Sequence, residues 1–153
     1  MTVQIETLSQ RPELALEVAG WLKQAFRYLD DIEIGQVRSN LLSRKPPEQS
    51  FVLLADDIPA GTASFRHQDL PSHPHLTPWL SSVYVQPDYR RRGFASALVR
   101  HVEAFAKAQA VSTLWLYTLN AADLYARLGW HRVALARDKH FVVVLMCRDL
   151  ITC

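Results

Sequence analysis

Cysteine is scarce: two residues in 153, Cys147 and Cys153, are too few for a disulfide framework. If Cys147 lies in a strand, the pair cannot bridge without a chain reversal between them, so reduced thiols in a cytoplasmic protein are expected. No apolar run approaches the ~20 residues that span a bilayer, and the first residues lack the charged-then-apolar plan of a signal peptide. Neither membrane association nor secretion is therefore expected. Excess charge is missing too, since 17 Lys and Arg stand against 15 Asp and Glu for a formal net charge of +2. That balance compels no nucleic-acid partner, and the basic residues matter only where they cluster. Repeats, low-complexity tracts and linkers are absent as well. One domain over residues 1–153 is expected, with an apolar fraction of 49% and enough length for a substantial core.

What is present is patterned. Residues 2–8 alternate loosely, with Val3 and Ile5 on one side, and suit a first strand. Ser9 and Pro12 predict the cap and first turn of a helix striped by Leu14, Val18, Trp21, Leu22, Ala25 and Phe26. Asp30 and Asp31 break the stripe, and a second helix is expected over 34–42, before Pro46 and Pro47. Residues 51–55 and 59–67 read as a hairpin turned at Asp56 and Asp57. The proline-rich stretch 68–78 reads as a loop, either merely solvated or forming a wall of a substrate pocket. Its His73 and His75 have no ligand partners at a suitable spacing, so no metal is expected. Residues 113–118 predict a strand, followed by a short helix through Leu124, Tyr125 and Leu128 with Asn120 as N-cap, Asp123 at N3 and Gly129 at C′. Residues 130–135 and 141–147 complete the strands. The order implies an α/β domain with a mixed, mainly antiparallel sheet of about seven strands flanked by about four helices.

The chemistry gathers between residues 83 and 96. Val83, Tyr84 and Val85 read as a strand, which Pro87 ends, and Leu98, Val99, Val102, Phe105 and Ala106 recur at helical spacing beyond. Between them lie Arg90, Arg91, Arg92, Gly93, Phe94 and Ala95. A loop of this kind turns successive N–H groups into one concavity at a helix N-terminus, where the dipole adds partial positive charge. Gly93 has no Cβ to block close approach, and Ala95 is the next smallest choice. The reading is an anion cradle with three guanidinium groups beside it. A solvated basic face competes with it, and a nucleic-acid patch less so, since few aromatics are interleaved.

This stretch resembles the Q/R-x-x-G-x-G/A motif of the GNAT superfamily of N-acetyltransferases, and Tyr125-Ala126-Arg127-Leu128-Gly129-Trp130 resembles its second signature, Y-x-x-x-G-F/Y/W. The resemblance covers nearly the whole chain and is weakest over residues 1–50. It implies the GNAT fold, whose sheet splays open after the cofactor strand, and acetyl-CoA as co-substrate without a metal. It also implies that Arg90, Arg91, Arg92, Gly93, Phe94, Ala95 and Ser96 hold the pyrophosphate, while the backbone of Val83, Tyr84 and Val85 pairs with the pantetheine arm. One N–H of that strand would polarise the thioester carbonyl. Tyr125 would donate a proton to the departing thiolate; on its helix alone it reads equally as a core aromatic.

Three positions depart from the family pattern. Arg91 stands where many relatives have glycine, and is either strained in a nest or placed to reach the coenzyme 3′-phosphate. Relatives often carry asparagine seven residues before the tyrosine; here that position is Thr118, which leaves Asn120 either touching the cofactor or only capping a helix. Some relatives place a glutamate base eleven residues before the first motif position, which is Trp79 here. An alkyl ammonium with pKa near ~10 must lose a proton before it attacks, so a base or ordered water is required. Ser81 and Ser82 are poor bases, and Asp30, Asp31, Glu33 and His75 are the candidates around the substrate mouth.

The sequence thus predicts direct acetyl transfer in a ternary complex, from acetyl-CoA to a primary amine of a small molecule or peptide. No cysteine–histidine pairing suggests an acyl-enzyme. A second class stays open, a coenzyme-binding module that has lost catalysis and regulates or scaffolds a partner: the missing base favours it and Tyr125 disfavours it. Aminoglycosides, polyamines, amino acids and protein N-termini all remain as acceptors, and a homodimer stays open.

Overall fold

The protein is described by a computed structural model covering residues 1–26, 29–42 and 45–151. Its strands are β1 (Val3–Thr7), β2 (Gln49–Ala55), β3 (Ile58–Arg66), β4 (Trp79–Val85), β5 (Thr113–Thr118), β6 (His131–Asp138) and β7 (Phe141–Asp149). Its helices are α1 (Ala15–Ala25), α2 (Ile34–Leu41), α3 (Phe94–Ala108) and α4 (Ala122–Arg127). The strands form one sheet in the order β1-β2-β3-β4-β5-β7-β6. Pairing is antiparallel except between β4 and β5, which run parallel and meet at one register pair, Trp79 opposite Trp115.

Alternation along β2 explains its continuous apolar run. Phe51, Leu53 and Ala55 enter the core that α3 covers with Leu98, Val99, Val102 and Ala106. Val52 and Leu54 enter a second core, with Val18 and Leu22 of α1 and Val37 and Leu41 of α2. Both faces of the sheet are therefore covered, so an apolar/polar alternation is not required. A smaller cluster, including Leu70, Trp79, Val143 and Leu145, lies beneath the loop that precedes β4.

The start of α1 differs from the expectation drawn from Ser9. Ser9 lies inside a 3-10 turn, Pro12 opens a second one, and α1 begins only at Ala15 without a side-chain cap. The reason is Arg11, whose φ of −130° and ψ of 58° break helical continuity. Its guanidinium reaches Glu6 at 2.6 Å and Glu13 at 2.7 Å, which holds the corner. The β2–β3 turn is formed at Asp56 and Asp57, both left-handed at φ 49° and 66°, as a two-residue hairpin needs. Cys147 is a half-buried free thiol, and Cys153 lies outside the described residues. Among the described residues no helix is long and apolar enough to cross a membrane.

The separation of β4 from β5 opens the sheet. Between the pairs Thr62–Tyr84 and Ser64–Ser81, β3 spends one residue and β4 two, Ser82 and Val83. Ser82 takes a left-handed φ of 57°. This is a β-bulge, which bends a strand and raises its local twist. It falls just past the point where β4 and β5 part.

Candidate active site

The cradle is built by a run of backbone choices after β4. A 3-10 turn, Pro87–Tyr89, leads to an extended Arg90 at φ −73°, and Arg91 and Gly93 are then both left-handed at φ 65° and 79°. Alternation of this kind turns neighbouring N–H groups toward one side. Gly93 is the residue that precedes α3, and no side chain caps that helix. The first backbone bond of α3 runs from Ala97 N–H to Gly93 C=O at 3.0 Å, so the preceding N–H groups have no partner within the helix. A Cβ built on Gly93 meets nothing within 4 Å, which leaves open space above the turn. Uncapped N–H groups at a helix start with open space beside it suit an anion such as a diphosphate.

The three guanidinium groups are not equivalent. Arg90 turns back, donating Nε–H to Val85 C=O at 2.9 Å, with its Cζ 5.6 Å from the Tyr84 ring centre. It clamps the turn onto β4. Arg92 lies over the Tyr89 ring at 5.4 Å, and Tyr89 stacks on Phe94, whose side chain is buried at the head of α3. Arg91 is exposed and makes no ion pair or hydrogen bond among the described residues. Of the cluster, it alone has a guanidinium unengaged by the protein.

The gap between β4 and β5 holds a cavity of about 460 Å³. Its walls include Leu80, Ser82 and Val83 from β4, Leu116 from β5, Asn120 and Tyr125. Thr118 accepts a hydrogen bond from Ala121 N–H at 3.0 Å, and the residue before α4 is Ala121. Asn120 is therefore not the N-cap: Thr118 ties down the turn instead, and Asn120 sits exposed at the cavity wall. Asp123 bridges to Arg132 at 2.6 Å.

Gly129 ends α4 as expected. At φ 99° it lets its own N–H reach Ala126 C=O at 3.1 Å and Trp130 N–H reach Tyr125 C=O at 3.0 Å. These are the paired bonds of a Schellman motif. Trp130 packs edge-on against Tyr125 at 6.2 Å and donates its indole N–H to Glu103 at 3.0 Å. Glu103 is buried on α3 and also takes Arg100 at 2.9 Å and Arg148 at 3.2 Å. Arg148 in turn donates to Leu128 C=O at 2.9 Å. The helix that begins at the cradle and the helix that carries Tyr125 are thereby fastened together.

Tyr125 is 8% exposed and lines the cavity; no buried side-chain polar atom among the described residues is left without a partner, so its hydroxyl, which makes no hydrogen bond there, is open to the cleft rather than sealed in the core. Burial pushes its pKa up to about 12, so the phenol stays protonated across the physiological range.

The candidate bases read from sequence do not gather here. Asp30, Asp31, Glu33 and His75 are exposed and line neither this cavity nor its neighbour. Trp79 is fully buried and donates its indole N–H to Leu76 C=O at 2.8 Å, so it is a packing residue at the point where β4 and β5 meet. The sequence reading missed Asp69. This half-buried residue lines the first cavity and a second of about 320 Å³. It accepts a hydrogen bond from Ser81 Oγ at 3.0 Å, and Ser81 and Ser82 share another at 3.1 Å. Burial raises the Asp69 pKa to about 7, with Asp138 adding to the rise and Ser81 and Arg66 opposing it. Nothing in the run Gln68-Asp69-Leu70 marks it, because its setting comes from the fold of the loop against β4. Among the described residues no group of three or more His, Cys, Asp or Glu is arranged to hold a metal ion.

Comparison with solved structures finds the same fold repeatedly. An aminoglycoside 6'-N-acetyltransferase complexed with coenzyme A superposes with a TM-score of 0.80 at 13% identity, over 98% of each chain. An aminoglycoside 6'-N-acetyltransferase from Enterococcus faecium gives 0.76 at 14% identity, over 100% of this chain and 99% of that one. The ribosomal-protein-S18-alanine N-acetyltransferase from Escherichia coli gives 0.73 at 21% identity, over 99% and 96%. At these identities the likeness establishes the fold alone. No curated protein matches the sequence. The sequence pattern of the Acetyltransferase (GNAT) family matches residues 10–130, which include both the cradle and the Tyr125 signature, and the chain belongs to that family of acyltransferases.

Proposed function

We propose that the chain is an acetyl-CoA-dependent N-acetyltransferase that moves the acetyl group directly to a primary amine in a ternary complex. The observation that carries the reading is one constellation: an uncapped, glycine-led N-terminus of α3 and an unpartnered phenol on the wall of the cleft where β4 leaves β5.

When bound, acetyl-CoA supplies a thioester carbonyl open to attack and a thiol leaving group. The N–H groups of residues 91–96 and the free guanidinium of Arg91 hold its phosphates, the latter suiting the 3′-phosphate. Arg90 holds the turn rather than the ligand, through Val85 C=O. The backbone of Val83, Tyr84 and Val85 pairs with the pantetheine arm, where the bulge keeps β5 from taking those bonds. Tyr125 carries the proton for the sulfur. Burial keeps the phenol protonated, so its O–H can hydrogen-bond the sulfur as charge develops there and pass the proton on, the phenolate regaining one from the strongly acidic acylated nitrogen. Asn120 has no capping duty and lines the same cleft, which suits a coenzyme contact.

Amine-dependent thiol release is the direct test. The protein with acetyl-CoA is challenged with a panel of aminoglycosides, polyamines, amino acids and peptides, and free thiol is measured. Release that requires an amine and yields its N-acetyl product supports the reading. Coenzyme binding without turnover on any acceptor replaces it with a binding module.

A further inference from the structure

Resting on that acetyl-transfer reading, we infer that Asp69 is the general base, and that the acceptor amine reaches it through the second cavity. The two cavities share Asp69, Ser81 and Ser82, so this trio forms the wall between them. One side is the cleft with Tyr125. The other lies between the α1–α2 layer and the end of β3, with Leu22 and Val37 in its floor and Lys45 and Gln68 in its rim. An amine entering there meets the Asp69 carboxylate at the boundary with the thioester cleft.

The charges around Asp69 set its working range. Arg66 at the end of β3 favours the carboxylate, Asp138 at the end of β6 opposes it, and Ser81 on β4 stabilises it by hydrogen bonding. Lys45 and Glu48 line the second cavity, and Tyr117 and Tyr125 line the first. With a pKa of about 7, the group is ionised and able to take a proton just above neutrality. An ammonium held there passes one proton to Asp69. The freed lone pair forms the C–N bond as the C–S bond opens, and sulfur takes the Tyr125 proton. The phenolate regains a proton from the acylated nitrogen, and Asp69 gives its own to water. One proton is released per turnover.

Asp69→Asn keeps the shape and can still accept from Ser81. It should lower kcat by roughly 10²–10⁴-fold, abolish the rise of kcat/KM with pH through about 7, and leave coenzyme affinity unchanged. Ser81→Ala removes a bond that favours the ionised form, so the pH limb should move upward. Gln68→Trp, at an exposed position, should raise the KM for the amine at least tenfold with the KM for acetyl-CoA unaltered. Melting of the ligand-free protein gives a readout independent of activity. A carboxyl with a raised pKa favours the folded state below its unfolded value near ~3.9, and that advantage is lost as pH rises through about 7. The melting temperature of the wild type relative to Asp69→Asn should therefore fall by roughly 8–16 °C between pH 4 and pH 8. Unchanged rate and pH profile in Asp69→Asn, beside an active wild type, overturn the base alone. A wild type that binds coenzyme but acetylates nothing overturns the base together with the acetyl-transfer reading. Unchanged amine KM in Gln68→Trp overturns the entry route.

Discussion

Gly129→Ala probes how Tyr125, the proposed proton donor, is held. The residue sits at φ 99°, a conformation that an L side chain adopts at a cost of about 1–2 kcal/mol. Its new Cβ would also land on Arg148 Nη1. A side-chain tip can usually swing aside cheaply, but this one is engaged twice, at Leu128 C=O (2.9 Å) and through Nε at Glu103 (3.2 Å). Moving it surrenders hydrogen bonds to a charged group, about 1.5–3 kcal/mol. Glu103 keeps Arg100 and the Trp130 indole, so its buried carboxylate is not orphaned and no further penalty arises. Strain and lost bonds together come to roughly 2.5–5 kcal/mol. At 153 residues each kcal/mol lowers the melting temperature by about 2–4 °C, so a fall of roughly 5–20 °C is expected.

Circular dichroism melts of Gly129→Ala, Arg148→Met and the double variant check this as a cycle. In the Arg148→Met background the guanidinium is already gone, so Gly129→Ala should then cost only its backbone strain, about 1–2 kcal/mol. A melting temperature for Gly129→Ala within about 2 °C of the wild type would refute the reasoning. So would strict additivity across the cycle, because it would mean that the glycine and the arginine do not compete for the same space.

Tyr125→Phe should reduce kcat by roughly 10²–10⁴-fold while coenzyme affinity by calorimetry stays within about twofold; equal losses in both would make the residue structural. Gly93→Val forces a β-branched residue to φ 79° and fills the open space above the turn, so coenzyme binding should vanish. Because a Cβ there meets no neighbouring atom, the melting temperature should fall by the backbone strain alone and so less than in Gly129→Ala, and normal coenzyme affinity would contradict the cradle.

How much of the molecule was legible depends on the range over which each feature is decided. The strand 113–118 matches β5, and the glycine stop at Gly129 holds, because alternation and a C′ glycine are read within a few residues. The turn that leads into α3 was legible for the same reason, being written in Arg90 to Ala95. Caps were read less well. Ser9 and Asn120 have the right side chains, but Arg11 reaching Glu6 and Thr118 reaching Ala121 N–H took over the local geometry. Among the arginines, motif spacing cannot say that Arg90 folds back on Val85 while Arg91 stays free, since that depends on where β4 ends.

Asp69 and Glu103 were illegible for a deeper reason. Both are acids whose surroundings come from elements distant in sequence, and neither spacing nor composition carries that information. For Glu103 this bears directly on function. The two motifs visible in the sequence, the turn at 90–96 and Tyr125 with Gly129, are separate segments with no covalent means of keeping their distance. Glu103 lies in neither, yet through Trp130 and Arg148 it fixes α4 to the same helix whose N-terminus forms the cradle. In the role proposed for Tyr125, a phenol that passes a proton to a departing sulfur has to be positioned to within fractions of an ångström. The alignment of the two recognisable motifs is therefore set by a buried carboxylate that no motif contains.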